Sequence, residues 1–211
     1  GEEFDGELAR AGALKARMPY QTNKDLRNSI NAGMISYHDV PLGQMPVWVK
    51  NNFLKHIDVA IIEAAAIDEN GNIIPTTSVG TSNIYAEYAD KIIIEVNTYV
   101  PRCIEGIHDV YSPERPPHTQ PIPITKVSDR VGTTYIKCDP AKVVAVVESN
   151  IPDNGRTVSP VDDEFRSMAN NLIGFLHSEV EHGRLCNPLP PVQAGVGSVS
   201  NAVLQGLAES D

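Results

Sequence analysis

VAIIEAAAI, at residues 59–67, and KIIIEVN, at residues 91–97, are the two stretches that decide the fold. Both are rich in β-branched or small apolar residues and lack a strict alternation of polar and apolar positions, which is typical of strands buried on both faces of a parallel sheet. The segment between them, TSNIYAEYAD at residues 81–90, has the apolar spacing of a helix and offers Thr81 or Ser82 as its N-cap. Strand, helix and strand in this order predict a βαβ unit.

A third strand of the same kind is predicted at residues 143–147, VVAVV. The connection that leads to it contains SPERPPHTQPIP at residues 112–123. Its prolines lack amide donors and exclude a central strand, so we expect an ordered crossing at the surface. Together these segments predict an α/β fold with an open, mostly parallel sheet and helices on both faces.

The clearest helical pattern of the chain runs from Pro160 to His182, with Ser159 as the predicted N-cap. Its apolar residues, Leu172 among them, fall on one face that we expect to be buried. A polar turn, IPDNGRT, precedes this helix. We therefore place a boundary between two structural units, residues 1–151 and residues 152–211.

Composition and charge exclude several classes of partner. The chain has 211 residues, and its 17 Lys and Arg against 27 Asp and Glu give a net charge of −10. This charge repels phosphate backbones and anionic lipid headgroups. No apolar run approaches the length of a membrane span, and the first residues lack the layout of a signal peptide. The sequence therefore argues against nucleic-acid and membrane partners and predicts a cytoplasmic protein.

Neither the histidines nor the cysteines form a metal-binding pattern. The six histidines include no His-x-His and no pair at i and i+4. Cys103, Cys138 and Cys186 are widely spaced and include no Cys-x-x-Cys. We expect no metal site and no disulfide framework.

A polar loop, TTSVGTSN at residues 76–83, follows a predicted strand and precedes a predicted helix. Open α/β sheets bind ligands at such places. Plain helix capping explains the same polar residues equally well. The sequence leaves both readings open.

A second glycine-containing turn, AGVGSV at residues 194–199, opens the last predicted helix. Gly195 and Gly197 allow a sharp turn with exposed amides, and the start of the helix adds a partial positive charge that suits an anion. The turn is not a full dinucleotide fingerprint, because Ser200 stands where the third glycine would be. Close packing of strand against helix and ligand binding both explain these glycines.

Six stretches spread over nearly the whole chain carry a resemblance: MPYQTNKDLRNSIN, DVAIIEAAAIDENGNIIPTTSVGTSN, YADKIIIEVN, EGIHDVYSP, PITKVSDRVGTTYIKCDPAKVVAVVESNIPDNG and QAGVGSVSNAVLQGLAESD. They resemble the acetyl-CoA hydrolase/transferase family of acyl-CoA:carboxylate CoA-transferases, especially its succinate-CoA transferase branch. Proteins of this family are longer and have two related α/β domains. The resemblance implies that residues 1–151 are the later part of the N-terminal CoA-transferase domain, and that residues 152–211 are a linker helix and the beginning of the C-terminal one.

The chemistry that the resemblance implies proceeds through a covalent enzyme-CoA thioester on a glutamate. The turn formed by Gly195, Val196, Gly197, Ser198 and Val199 would lie against CoA, and the backbone N–H of Val196 would donate to the oxyanion. The nucleophilic glutamate of the family falls beyond Asp211, so it is not in this chain. Glu179 and Glu209 lie in helical segments and are not expected to take its place.

The function implied is the transfer of CoA between an acyl-CoA, such as acetyl-, succinyl- or propionyl-CoA, and a small carboxylate. Acyl-CoA hydrolysis through the same thioester is the alternative within enzymes, and a non-catalytic CoA-binding or interaction module is the alternative outside them. CoA would be a substrate, with no tightly bound cofactor. The family also implies a homodimer, in the cytoplasm or, in a eukaryote, in mitochondria.

Overall fold

The computed structural model describes residues 2–18, 20–153, 161–195 and 197–210. The chain divides into two compact units, Gly1–Asp153 and Asn154–Asp211. The helices and strands described in the first unit are, in chain order, α1 (Glu2–Arg10), β1 (Ala16–Arg17), α2 (Lys24–Asn31), β2 (Ser36–Tyr37), α3 (Met45–Lys50), β3 (Val59–Ile67), β4 (Ile73–Pro75), α4 (Ser82–Tyr88), β5 (Lys91–Asn97) and β6 (Val143–Ser149). The second unit contributes α5 (Asp163–Glu181) and α6 (Ser198–Glu209).

The main sheet of the first unit has the strand order β4-β3-β5-β6. β5 runs parallel to both β3 and β6, and only β4 is antiparallel to its neighbour. A small parallel pair, β1 with β2, forms a separate sheet. The predicted α/β class with mostly parallel sheets flanked by helices is therefore confirmed.

The larger core of this unit lies on one face of β3 and β5. Ile62, Ile92 and Ile94 are buried there together with Ala86 of α4 and Ala89 just after it. α4 carries the chain from β4 back to β5 across this face. Its apolar residues recur at helical spacing and those of the strands alternate, so the apolar sides of helix and strands meet. The predicted βαβ unit thus forms, with the short β4 hairpin inserted before the helix.

The prediction that the strands are buried on both faces holds at the end of β3, where Ala64, Ala65 and Ala66 are all buried, and is wrong elsewhere in the described strands. Ile61 is 62% exposed, whereas its neighbour Ile62 is only 2% exposed. β6 is an edge strand, and its Val146 and Val147 are about half exposed although they point to opposite faces of the sheet. On the second face the described cover reaches only part of the sheet, because Ala65 and Ile74 are buried together with Ile104 while Ile61 stays exposed.

The connection from β5 to β6 is long and mostly irregular. The proline-rich residues 112–123 form neither helix nor strand and are almost all exposed, as predicted. Further along, Ile136 exchanges two backbone hydrogen bonds with Ile73, of 2.9 and 2.8 Å. Residues 133–138 thus form only isolated bridges, and Asp139 caps a short 3-10 helix, Pro140–Lys142, that leads into β6.

The second unit is a pair of packed helices. α5 begins at Asp163, and the Asp162 carboxylate caps it by accepting a hydrogen bond of 2.9 Å from the Phe165 amide. This corrects the predicted start; Ser159 and Pro160 lie outside the described residues. Gly206 of α6 faces Ile173 so closely that a Cβ atom there would lie 2.5 Å from its Cδ1 atom.

The buried side of α5 also differs in part from the prediction. Ala169 is buried against α6, but Leu172 is 41% exposed. The apolar face predicted from periodicity is broader than the strip that one partner helix covers. Among the described residues, no helix is both long and apolar enough to cross a membrane.

Candidate functional site

A polar network lies where the parallel strands of the first unit end. Asn97, the last residue of β5, is buried, and its Nδ2 atom donates to Glu63 Oε1 at 2.9 Å and to the Ile151 carbonyl at 2.8 Å. Its Oδ1 atom accepts from the Ile151 amide at 3.1 Å. These bonds fix the chain that leaves β6 against the end of β5. Ligands of open α/β sheets bind at this carboxyl edge.

Glu63 is the charged member of this network and is half-buried in the middle of β3. Its Oε2 atom accepts a hydrogen bond of 3.2 Å from the Thr76 hydroxyl. The ion pairs of the described residues do not include Glu63, so its carboxylate is held by neutral donors. Such a carboxylate can orient polar groups, and it keeps lone pairs for a further donor.

His108 joins the network from the long connection. It is 8% exposed, and its Nε2 atom lies 2.9 Å from the Thr76 carbonyl oxygen. Because a carbonyl only accepts, Nε2 carries the proton and donates it. The Nδ1 atom is buried and, among the described residues, has no hydrogen-bond partner. A buried acceptor of this kind is available to a bound donor.

The polar loop at residues 76–83 lies beside these groups. Thr76 is buried, whereas Thr77, Ser78 and Gly80 are exposed. Thr81 occupies the N-cap position of α4, but its side chain makes no capping hydrogen bond. The capping reading is therefore not supported at Thr81, and the exposed polar groups lie at the edge where a ligand is expected.

The glycine turn of the second unit precedes α6. Gly197 is the N-cap residue, and Ser198 is the first helical residue. A Cβ atom built on Gly195 or on Gly197 would meet no other atom within 4 Å. Close packing within the described residues therefore does not require either glycine. Val196, whose amide is the predicted oxyanion donor, lies outside the described residues.

The start of α6 carries amide groups that have no partner within the helix. Val199 in this first turn is about half exposed. The positive end of the helix and the exposed turn thus coincide. This arrangement can hold an anionic or oxyanionic group.

The two glutamates of the second unit have local partners. Arg184 donates to Glu179 at 2.6 and 2.7 Å, and these hydrogen bonds lower the pKa of the Glu179 carboxyl. Gln205 Nε2 donates to Glu209 at 2.8 Å. Both carboxylates are thus engaged in contacts at helix ends, and that neither is the nucleophile stays a prediction.

One group of side chains with metal-ligand chemistry was missed by sequence reasoning. His56, Asp58 and Asp90 lie at the starts of β3 and β5, and their ligand atoms all lie within 4.8 Å of one another. His56 Nε2 lies 2.7 Å from Asp90 Oδ2, and this hydrogen bond raises the pKa of His56. All three are exposed, and their separation in sequence hides the cluster.

The three cysteines are free thiols, and burial raises the pKa of the Cys138 thiol.

The first unit matches a known protein family. Residues 1–148 match the acetyl-CoA hydrolase/transferase N-terminal domain. This match covers more than half of the chain and ends close to the boundary between its two units.

Curated relatives align over almost the whole chain. A succinyl-CoA:acetate CoA-transferase from Clostridium kluyveri is 46% identical over 211 residues, which are 100% of this chain and 39% of the relative. An acetyl-CoA hydrolase from Schizosaccharomyces pombe is 41% identical, over 100% of this chain and 41% of the relative. A propanoyl-CoA:succinate CoA transferase from Escherichia coli is 38% identical, over 98% of this chain and 42% of the relative. The chain thus spans about two fifths of the length of the curated relatives it matches.

Solved structures share the fold at low identity. A 4-hydroxybutyrate CoA-transferase from Porphyromonas gingivalis superposes with a TM-score of 0.54 at 18% identity, covering 99% of this chain and 44% of that one. RipA from Yersinia pestis gives a TM-score of 0.55 at 17% identity, covering 96% of this chain and 45% of that one. With the domain match and the relatives, these findings establish that the chain belongs to the acetyl-CoA hydrolase/transferase family.

Proposed function

We propose that the parent protein is a CoA-transferase that moves CoA between an acyl-CoA and a small carboxylate such as acetate or succinate. The observation that carries this proposal is the alignment of the whole chain, at 46% identity, with a succinyl-CoA:acetate CoA-transferase. In this proposal residues 1–151 are the later part of the N-terminal CoA-transferase domain. Residues 152–211 are then a linker helix and the beginning of the C-terminal domain.

The proposed reaction passes through a glutamyl-CoA thioester, with the glutamate supplied by the polypeptide beyond Asp211. The glutamate carboxylate attacks the acyl-CoA carbonyl and expels CoA thiolate, which leaves an acyl-glutamyl anhydride. The thiolate then attacks the glutamyl carbonyl and releases the acyl group as its carboxylate. The second carboxylate runs the same two steps in reverse and leaves as the new acyl-CoA.

This chain supplies the CoA-facing turn in the proposed mechanism. Each attack on a carbonyl develops an oxyanion, and an amide aimed at that position stabilises it without reorganisation. The backbone N–H of Val196 is the proposed donor, and Gly195, Gly197, Ser198 and Val199 are the proposed CoA contacts. The open space around both glycines supports this assignment, because a ligand can approach the backbone closely there.

The test is an exchange assay on the full-length parent protein. Succinyl-CoA and isotopically labelled acetate should give labelled acetyl-CoA, and incubation with acyl-CoA alone should leave CoA attached to a glutamate, detected by mass spectrometry of the protein. Failure to exchange label with any of acetate, succinate or propionate would contradict the proposal.

Acyl-CoA hydrolysis is the second candidate, because a relative that is 41% identical over the whole chain is named an acetyl-CoA hydrolase. In a hydrolase water resolves the thioester. A hydrolase would release free CoA from acetyl-CoA when no carboxylic acid acceptor is present. The rate of this release would equal or exceed the rate of CoA exchange with such an acid. A transferase instead requires the acid for turnover.

We propose a homodimer in the cytoplasm, or in mitochondria if the source is a eukaryote, with CoA as a substrate and no tightly bound cofactor. Size-exclusion chromatography with light scattering of the full-length protein measures the oligomeric state, and a monomer would contradict that part of the proposal.

A further inference from the structure

A cavity of about 310 Å³ lies beside α3 and α4 and takes no part in the chemistry proposed above. The charged and hydroxyl-bearing residues among its lining are Lys50, Glu87, Tyr88, Ser112, Glu114 and Arg115, with His118 next to them. Three parts of the chain contribute, namely the end of α3, the end of α4 and the proline-rich connection. The cavity therefore gathers groups of opposite charge that are far apart in sequence.

Lys50 is the buried member of this set. It is 8% exposed, and its Nζ atom donates to the Pro113 carbonyl at 2.6 Å. An ammonium group has three N–H donors, so this hydrogen bond satisfies one of them. The ion pairs of the described residues do not include Lys50. A buried ammonium group without a direct ion-pair partner is unfavourable, and an anion bound beside it would supply that partner.

Two further donors line the same cavity. The Arg115 guanidinium lies 5.1 Å from the centre of the Tyr88 ring, and its Nε atom donates to the Tyr88 hydroxyl at 3.1 Å. Arginine has five N–H donors, so this contact holds the guanidinium in place and leaves donors for a ligand. The Ser112 hydroxyl oxygen accepts from Asn83 at 2.8 Å, which leaves its own hydrogen to donate. Lysine, arginine and serine donors are a typical set for phosphate oxygens.

Two exposed carboxylates on the lining narrow the class of ligand. Glu87 and Glu114 repel a bare dianion, but they accept hydrogen bonds from hydroxyl groups. A phosphate attached to a hydroxylated carbon skeleton accepts hydrogen bonds from the cationic side chains and donates hydrogen bonds from its hydroxyl groups to the two carboxylates. We propose that this cavity binds a phosphate monoester of a polyol or sugar, with the phosphate at Lys50, Arg115 and Ser112 and the hydroxyl groups at Glu87 and Glu114. This site stands independently of the CoA-transfer proposal.

The probe for the test is ribose 5-phosphate, titrated into the 211-residue chain by calorimetry at low ionic strength. We expect saturable binding that weakens as salt is added, because the main contacts are ionic. Lys50→Met should weaken it about tenfold or more, as expected for loss of a charged hydrogen bond. Lys126→Met is the matched control, since Lys126 is exposed and does not line the cavity. This variant should bind ribose 5-phosphate with the same affinity as the wild type.

Ser112→Ala and Arg115→Gln keep the test decisive if Lys50→Met fails to fold, because both side chains are exposed and should not be needed for folding. Each should weaken binding of the ester several-fold. Affinity unchanged in all three cavity variants, or no saturable binding by the wild type, would overturn the proposal.

Displacement experiments identify the source of the ester. CoA carries a phosphate monoester on its ribose, and dephospho-CoA lacks it. Displacement of ribose 5-phosphate by CoA but not by dephospho-CoA would assign the site to the ribose phosphate of CoA. No displacement by either would assign it to a free sugar phosphate. Equal displacement by both would overturn the assignment of a monoester.

Discussion

Gly197 is the residue at which the proposed function is most directly tested. No atom lies within 4 Å of the position that its Cβ would take, so a side chain there meets no described neighbour, yet it would obstruct a ligand that approaches the backbone. In the full-length parent, Gly197→Val should lower CoA exchange by about 10²–10³, the usual effect of losing an oxyanion-hole donor. Val196→Ala keeps the backbone amide and should lower exchange far less. The ratio of kcat/KM between the two variants is the measurement.

Thermal unfolding of both variants is the necessary control for this comparison. The φ angle of Gly197 is 159°, at the edge of the region that side chains disfavour, so its replacement can also affect folding. The ligand interpretation requires the loss of exchange to exceed any loss of folded protein. Full exchange by folded Gly197→Val, or a loss that only follows the folded fraction, would refute it.

Asp68 offers a pH-dependent test in the first unit. Its carboxylate accepts from the Asn72 side chain at 2.9 Å and from the amides of Asn70 and Asn72 at 2.8 Å each, in the turn between β3 and β4. The Asn72 side chain, followed by the backbone donors, lowers the pKa of Asp68. The stabilisation is therefore fully present above the ordinary pKa of about 3.9 and is lost as the pH falls through the lowered value.

Asp68→Ala should accordingly lower the unfolding temperature at pH 7, and the difference from the wild type should shrink as the pH falls below about 4, where an unperturbed aspartate titrates. Scanning calorimetry across this range measures it. Glu69→Ala, at the exposed neighbouring position, should leave the unfolding temperature almost unchanged. A difference for Asp68→Ala that is the same at pH 7 and at pH 2 would show that the charge of the carboxylate does not stabilise the turn.

At the scale of single elements, local sequence patterns predicted where strands and helices form. They did not predict which faces of these elements other parts of the chain bury. β3, β5 and β6 formed where runs of β-branched residues predicted them. The burial of each face depends on neighbours that a local pattern does not specify, and so Ile61 and Val147 are exposed. The cap of α5 was misplaced for a related reason, because Ser and Asp are equally good N-caps and only the backbone angles decide between them.

Neighbouring residues of α5 test which side of that helix is buried. Ile173 packs against the Gly206 position of α6, whereas Leu172 is 41% exposed. We expect Leu172→Ala to change the free energy of unfolding by less than about 1 kcal/mol, close to the range of surface substitutions. Ile173→Ala removes packed atoms and should lower the free energy of unfolding by more than Leu172→Ala does. Urea titrations of both variants measure this order, and a larger effect at Leu172 would mean that its face is covered.

At the scale of the whole molecule, the candidate site was only partly accessible from sequence. The glycine turn at residues 194–199 and the polar loop at residues 76–83 were found because each is continuous in sequence. The contact of Glu63 with Asn97 was missed, because it joins residues 34 positions apart across two strands. His108 is followed by Asp109, a pair that the sequence also shows at His38 and Asp39, and this pattern alone does not predict the buried Nδ1 atom that the folded long connection places beside Thr76.

The exposed part of the second face of the main sheet, around Val59 and Ile61, gives the last prediction. Val59 and Ile61 of this face also line an apolar cavity of about 680 Å³ beside α3, whose wall includes Trp48 and Phe53. Contiguous apolar surface of this kind binds hydrophobic dyes and promotes self-association.

The 211-residue chain should therefore enhance the fluorescence of a dye such as anilinonaphthalene sulfonate while it remains folded. Ile61→Thr should reduce that signal with little change in unfolding temperature, because its side chain already faces solvent and Thr is still β-branched. Ile62→Thr is the matched control on the opposite face, where a hydroxyl would be buried, and it should lower the unfolding temperature markedly. Equal effects of the two variants on stability would mean that both faces are covered in solution, as the sequence alone predicted.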